Sequence, residues 1–338
     1  MNILLVYPKF PDTFWSFSYA LRFIGKKSAF PPLGLITVAA LLPEQFQIRL
    51  VDLNVGALGD DDLALADMAF ISAMAVQRKS AVHVVDRCKA KGLKIVAGGP
   101  PFTAQPYDFE QVEHLVLDEA EATLPAFLTD LKNECPKQLY RAKEYPEIRC
   151  SPIPLWGLID TRRYASLNIQ YSRGCPFNCE FCNITALFGR TPRTKTPQQV
   201  VAELDAIYQA GWRGNIFFVD DNFIGNKRAL KEHLLPALIK WRKDKRGCVF
   251  FTEASINLAD DPELMDMMAE AGFDSVFIGI ETPKASSLTE CCKAQNKNRD
   301  LLQDVQKIHR SGLQVMGGFI VGFDNDPVSY THLTLPTT

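Results

Sequence analysis

The feature that most constrains this chain is an alternation of short apolar runs with helix-length stretches, repeated in two long series. In the first series Ile3–Tyr7, Gln47–Val51, Ala69–Ser72, Lys94–Ala97 and His114–Leu117 read as strands. Between them Leu33–Leu42, Gln77–Lys91 and Glu119–Leu131 read as helices, the first stopped by Pro43 and the second by Gly92. The second series has strands at Leu167–Tyr171, Asn215–Val219, Val249–Thr252, Ser275–Ile280 and Gln314–Val321. Its helices are Pro197–Ala210, Lys227–Lys243 (bent at Pro236), Asp261–Ala271 and Arg299–Arg310. Strands alternating with helices predict an α/β chain built on parallel sheets. Such sheets bind ligands outside the carboxyl ends of their strands. Residues 146–164, with Pro146, Pro152 and Pro154, read as a stiff linker between a first domain, 1–145, and a second, 165–327.

A chain of 338 residues, 47% hydrophobic and 22% charged, suits two soluble globular domains. A net charge of −2 supplies no global field for nucleic acid, so no nucleic-acid partner is expected. The opening Met1–Pro8 lacks the basic-then-apolar layout of a signal peptide. No run of about 18 apolar residues exists, so no transmembrane segment is expected, while peripheral membrane contact stays open. Nine cysteines suit a reducing cytoplasm. From Val328 to Thr338 the chain loses both periods and resembles translated adapter sequence. A foreign tail on a truncated chain is the expectation there, against a genuine polar tail.

Cys175, Cys179 and Cys182 stand at C-x3-C-x2-C spacing within Arg173–Cys182, with Phe181 before the third. A structural zinc site takes four ligands, commonly as two separated C-x2-C pairs. Here there is one group of three, and His83, His114, His233 and His309 are all distant in sequence. Three thiolates on a cuboidal iron–sulfur cluster leave one iron without a protein ligand, free to bind something that reacts. The other six cysteines are scattered, and the adjacent Cys291 and Cys292 have no evident role.

These three cysteines, with an aromatic at Phe181, resemble the cluster motif of the radical S-adenosylmethionine (radical SAM) superfamily. The resemblance implies a [4Fe-4S] cluster whose open iron is chelated by SAM, and cleavage of SAM to a 5′-deoxyadenosyl radical. It implies a partial (β/α)6 TIM-type barrel, here truncated after about the fifth strand. The first domain is similar to the Rossmann-like cobalamin-binding domain found ahead of many such cores. The likeness lies in the Pro-Pro-Leu-Gly-Leu helix start at 31–35, Val51-Asp52, and Gly98-Gly99-Pro100. Ser72, Gly98, Gly99 and Pro100 are then the expected cobalamin contacts. The Asp-x-His-x-x-Gly motif is absent, so cobalamin would bind without a protein histidine. The aromatic loop with Phe10, Phe14, Trp15, Phe17, Tyr19 and Phe23 reads either as a lid or as a packing surface. Asp12–Phe17, Gly174–Cys182 and Phe218–Asn226 resemble a group of cobalamin-binding radical SAM proteins with an uncharacterised C-terminal domain, in which hopanoid C-2 methylase is a relative.

The resemblance assigns Asp220 and Asp221 to the SAM amino group, as a carboxylate suits an ammonium. It assigns Glu253, Ser255, Asn257 and Glu281 to other parts of SAM, and Phe181 to the cluster or the adenine. Each also has a plainer reading. Asp220, Asp221 or Asn222 can cap the following helix, Phe181 can be core, and the others can be bonded strand-end residues. Arg173 reads as shielding the cluster or only holding the loop, and Arg190–Lys195 as an anion contact or a solvated basic loop. The first expected function is cobalamin-dependent methylation of an unactivated carbon on a small-molecule or lipid substrate such as a hopanoid. A reductant such as flavodoxin or ferredoxin would supply electrons. The alternatives are a radical cyclisation, oxidation or rearrangement without methyl transfer, tRNA methylthiolation, and a non-enzymatic cobalamin or redox sensor.

Overall fold

A computed structural model describes residues 1–327; the anomalous tail from Val328 onward lies outside them. The chain divides into two compact units. One is Met1–Asn168 with Ala202–Trp212, and the other is built on Ile169–Val201 and the chain from Arg213 onward.

The first unit holds a six-stranded sheet of β1 (Asn2–Tyr7), β2 (Gln47–Asp52), β3 (Met68–Ser72), β4 (Lys94–Gly98), β5 (His114–Val116) and β6 (Leu139–Tyr140). Its order is β2-β1-β3-β4-β5-β6, with every neighbouring pair parallel. Successive side chains of a strand face opposite sides of a sheet. Leu4, Val6, Ala69, Ile71, Ile95 and Ala97 therefore enter one core, which contains Val84 and Val85 of the helix Arg78–Ala90. Ile3, Leu5, Met68, Phe70, Val96 and Val116 enter a second core with Leu35, Leu124 and Phe127 of the helices Leu33–Leu41 and Ala120–Lys132. Burial on both faces explains why these strands read as continuous apolar runs. The order reverses between β1 and β3, and ligands of doubly wound sheets bind at such a switch point.

The proline-rich stretch 146–164 belongs to the first unit. Its last residue, Tyr164, is fully buried and donates its hydroxyl to Asp52 at the end of β2, 2.8 Å. The aromatic loop after β1 contains two short helical turns, Phe14–Ser16 and Ser18–Phe23, with Phe14, Tyr19 and Phe23 largely exposed.

The second sheet comprises β7 (Ser166–Ile169), then, after a two-strand hairpin of β8 (Ser172–Arg173) and β9 (Arg193–Thr194), β10 (Asn215–Phe218), β11 (Val249–Ala254), β12 (Phe273–Glu281) and β13 (Gln314–Phe319). Its order is β13-β12-β11-β10-β7, and β10 to β13 are parallel. The helix between β11 and β12, Pro262–Ala271, shows why its boundaries were readable. The Asp261 carboxylate accepts from Leu264 N at 3.1 Å, Pro262 opens the first turn, and Gly272 closes it at φ 102. Where the sequence predicts a bend at Pro236, the helix changes its winding. A π-helical turn, Leu230–Leu234, interrupts the helix just before the proline.

Candidate active site

The cysteine loop leaves β8 through Gly174, at φ 96. A Cβ there would lie 2.9 Å from the Thr191 carbonyl oxygen, 3.0 Å from that of Gly189 and 3.1 Å from that of Phe188. Only glycine fits this conformation and this space. The 188–195 stretch thus closes over the loop's root. Arg193 Nη2 donates to the Phe188 carbonyl at 3.1 Å, and Lys195 N donates to that of Tyr171 at 2.8 Å. Within the Arg190–Lys195 run, Lys195 is buried, Arg193 is half-buried and Arg190 stays exposed, so the run is solvated only at its start. It is the second arm of a hairpin packed on the cysteine loop. Gly225 shows the same tightness from the other side, since a Cβ there would meet Pro192 Cγ at 2.9 Å.

Cys175, Cys179 and Cys182 are all free thiols and half-buried. Burial raises the pKa of Cys175 and of Cys182, and each is raised further by the field of another loop cysteine. Lys293 acts in the opposite sense on Cys182. Among the described residues no three His, Cys, Asp or Glu side chains form a group able to hold a single metal ion. A cuboidal cluster makes a different demand, because each thiolate binds a different iron. Phe181 is 45% exposed, which removes the core reading, and its ring lies 5.8 Å from Lys293 Nζ.

The carboxyl edge of the second sheet is acidic. Asp220, just beyond β10, is fully buried and faces the chain that feeds the cysteine loop. Its carboxylate accepts from Tyr171 N at 3.1 Å and from both the amide and the hydroxyl of Ser172. Asp221 accepts from Gly174 N at 3.4 Å. The pair therefore anchors residues 171–174, and Asp220 caps no helix. Burial nevertheless pushes Asp220 up to about 7 and Asp221 up to about 6. Glu253, at the end of β11, is pushed up to about 7, first by burial and then by the fields of Asp221 and Asp220. No ion pair or hydrogen bond reaches its carboxylate among the described residues.

Ser255 and Asn257 follow Glu253. The Ser255 hydroxyl lies 2.6 Å from Asn257 Oδ1, and Ser255 N donates to Asn222 Oδ1 at 3.2 Å. Asn222, read as a possible helix cap, makes no side-chain cap. It ties the end of β10 to the end of β11 instead. Glu281 ends β12 in the left-handed region, φ 62, which is uncommon for a residue with a side chain. Its buried carboxylate pairs with buried Lys293 at 2.7 Å. Gly279 makes room for that pair, since a Cβ there would strike Glu281 Oε1 and lie 2.8 Å from Lys293 Nζ. Sequence reasoning missed Lys293, Gln295 and Asn296. Gln295 Nε2 lies 3.6 Å from Cys179 Sγ, and Asn296 Nδ2 donates to the Gly279 and Ile280 carbonyls at 3.0 Å each. No spacing motif marks these residues in the sequence.

In the first unit, Ser72 and Gly98–Gly99 meet at the ends of β3 and β4. Gly99 lies at φ 97, and a Cβ there would stand 3.0 Å from Ser72 Oγ and 2.9 Å from the Ala73 carbonyl oxygen. A Cβ on Gly98 would stand 2.6 Å from the Val116 carbonyl oxygen. Contacts within the sheet thus require both glycines whether or not a ligand approaches. Pro100 opens the short helix Pro100–Ala104 that follows.

Comparison with known proteins agrees with this organisation. Residues 169–333 match the Radical SAM superfamily. An uncharacterized methyltransferase of Synechocystis sp. is 46% identical over 329 residues, 96% of this chain and 61% of that protein. Hopanoid C-2 methylase of Rhodopseudomonas palustris is 37% identical over 332 residues, 96% of this chain and 63% of that protein. The chain therefore spans about six-tenths of the length of these relatives. Among solved structures, the radical S-adenosylmethionine methyltransferase TsrM of Kitasatospora setae, with cobalamin and a [4Fe-4S] cluster bound, superposes with a TM-score of 0.76 at 14% identity, over 97% of this chain and 71% of that one. That likeness concerns the fold, an α/β chain of two parallel sheets. Residues 169–333 are thus similar to the Radical SAM superfamily, and nearly the whole chain is similar to hopanoid C-2 methylase.

Proposed function

We propose that this chain is the cobalamin-binding and radical-forming part of a SAM-dependent C-methyltransferase acting on a small-molecule or lipid substrate. The observation that carries the reading is the pairing of three free, half-buried thiols with an acidic strand edge in one unit. Both donor sets fit the groups that the Radical SAM domain implies. Cys175, Cys179 and Cys182 offer soft thiolate ligands and leave a fourth position open. Asp221 and Glu253 offer negative charge to a cationic ligand. The domain scheme is 1–145 for cobalamin, 146–164 as connector and 165–327 as a radical SAM core. We read the second sheet as part of a barrel, with Met316 and Phe319 of β13 exposed.

When bound, the [4Fe-4S] cluster supplies the electron that cleaves SAM to a 5′-deoxyadenosyl radical, and cobalamin carries the methyl group. The chain's own residues bind and orient. Gly174 and the 188–195 arm fix the cysteine loop before any ligand arrives. Asp220 holds the approach to that loop through three hydrogen bonds, so its part is positioning. Asp221 and Glu253 receive the SAM ammonium, whose charge offsets the cost of burying theirs. Ser255 and Asn257 present a hydroxyl and an amide suited to ribose. Glu281 is committed to Lys293 and shapes the end of β12. In the first unit, Ser72, Gly98, Gly99 and Pro100 line the strand-end edge offered to cobalamin. No Asp-x-His-x-x-Gly histidine is present to ligate cobalt.

The test uses full-length protein with a reconstituted cluster and cobalamin, SAM labelled in its methyl group, and candidate lipids including hopanoids. Labelled methyl on a substrate carbon, with 5′-deoxyadenosine formed alongside, is the expected outcome. 5′-Deoxyadenosine without a methylated product would move the chain to the cyclase or oxidoreductase class.

A further inference from the structure

The segment Cys291–Asn296 lies more than a hundred residues beyond the cysteine loop, yet it touches that loop and the end of β12 together. The Cys291 carbonyl accepts from Glu180 N at 3.0 Å, inside the C-x3-C-x2-C stretch. This gives buried Cys291 a backbone role toward the loop, while its thiol donates to the Leu288 carbonyl, 3.8 Å away. Lys293 reaches from the Glu281 carboxylate to a position over the Phe181 ring, 5.8 Å from its centroid. Asn296 bonds two successive carbonyls of β12. Between them, Gln295 directs Nε2 at Cys179 Sγ, 3.6 Å away.

The Gln295 amide is held at a cost. Its Oε1 is buried and has no hydrogen-bond partner among the described residues. A buried acceptor without a partner destabilises the fold, so the fold alone does not account for the amide. The opposite end of the amide is the one that contacts sulfur. An N–H donor aimed at a cluster thiolate stabilises the more negative, reduced state and raises the reduction potential. A nearby ammonium acts in the same direction.

We propose that Cys291–Asn296 is a brace for the cysteine loop, and that Gln295 sets the reduction potential of the cluster through an N–H···S bond to Cys179, with Lys293 adding positive charge. This rests on the reading of Cys175, Cys179 and Cys182 as cluster ligands. Gln295 is a positioning and tuning residue that touches a ligand, and it takes no part in bond breaking.

The experiment is an anaerobic redox titration of the reconstituted cluster, followed by electron paramagnetic resonance, for wild type, Gln295→Leu, Gln295→Glu and Lys293→Met. Iron and sulfide content is measured on every sample. Gln295→Leu is expected to move the midpoint to more negative potential at unchanged iron content, and Gln295→Glu to move it further. Lys293→Met is expected to shift it in the same direction. If Gln295→Leu does not fold, Gln295→Met carries the same test, because it also removes the donor at similar length. A wild-type midpoint in the Leu or Met variant overturns the inference while leaving the cluster assignment intact. A wild type that takes up no cluster overturns the assignment itself, and this inference with it.

Discussion

At the carboxyl edge of the first sheet, buried Asp52 accepts from Asn54 N at 2.8 Å, Asn54 Nδ2 at 2.7 Å and the Tyr164 hydroxyl at 2.8 Å. At the same edge of the second sheet, Glu253 has no such donor among the described residues, and its neighbours Asp221 and Asp220 add like charge. Burial raises both carboxyls. Hydrogen bonds pull Asp52 back, whereas every cause acting on Glu253 raises it. A buried carboxylate satisfied by its own chain needs nothing further. Glu253 is only half-buried, and with no donor from the described residues and acids on either side its charge is unfavourable in the cluster-free fold, which on the proposed reading a cationic ligand would relieve. The two edges should therefore respond to substitution with opposite signs.

The largest effect belongs to the second edge. Replacing Cys175, Cys179 or Cys182 by alanine should reduce iron content to background and abolish 5′-deoxyadenosine formation, while the melting temperature of the cluster-free protein changes little. Next, Glu253→Gln should weaken SAM binding about tenfold to a hundredfold, the value of a hydrogen bond to a charged group, measured by equilibrium dialysis on cluster-loaded protein. The same change should raise the melting temperature of the cluster-free protein at pH 8, by roughly 2–4 °C if about 1 kcal/mol is recovered. A variant that binds SAM as wild type does would remove Glu253 from the site.

Tyr164→Phe tests the first edge. It leaves one Asp52 oxygen without its donor and should destabilise the protein by about 1–3 kcal/mol in urea unfolding, with SAM binding unchanged. If Tyr164→Phe stabilised the protein, the contrast between the edges would be lost.

The smallest effect is a slope in pH. Glu253 and Asp220 titrate near pH 7 in the folded chain, above their ordinary values of 4.5 and 3.8. Between about pH 4 and pH 7 the folded state keeps protons that the unfolded chain has released. Their contribution is unfavourable at high pH and relaxes as pH falls through 7. Cluster-free protein should melt higher at pH 5.5 than at pH 8 from these groups, and Glu253→Gln should flatten the difference. An identical slope in the variant would assign the pH dependence elsewhere.

Most of the sheet architecture was legible because burial on two faces writes itself as apolar runs, as in β1 and β3. Helix ends were legible where caps are local, as at Asp261 and Gly272. The two-residue strand β6 and the β8–β9 hairpin were not, because two residues show no period. The π turn before Pro236 depends on packing that sequence does not display. In the site, the cysteines and the acidic strand ends stood out by spacing and position. Which way each acid faces did not, because adjacent residues point to opposite sides of an extended chain. Asp220 thus reads like a ligand residue and proves to be an anchor. Gln295 and Lys293 were invisible for another reason: their partners, Cys179 and Glu281, are set by the fold and by no motif.

The most direct test of the central account, an open-iron cluster beside a cation-seeking strand edge, is the electron paramagnetic resonance spectrum of the reduced, reconstituted protein before and after SAM is added. The account predicts a cluster signal whose g-values shift when SAM binds, with a higher SAM concentration needed in Glu253→Gln. A full-strength cluster signal that SAM leaves unchanged would contradict it.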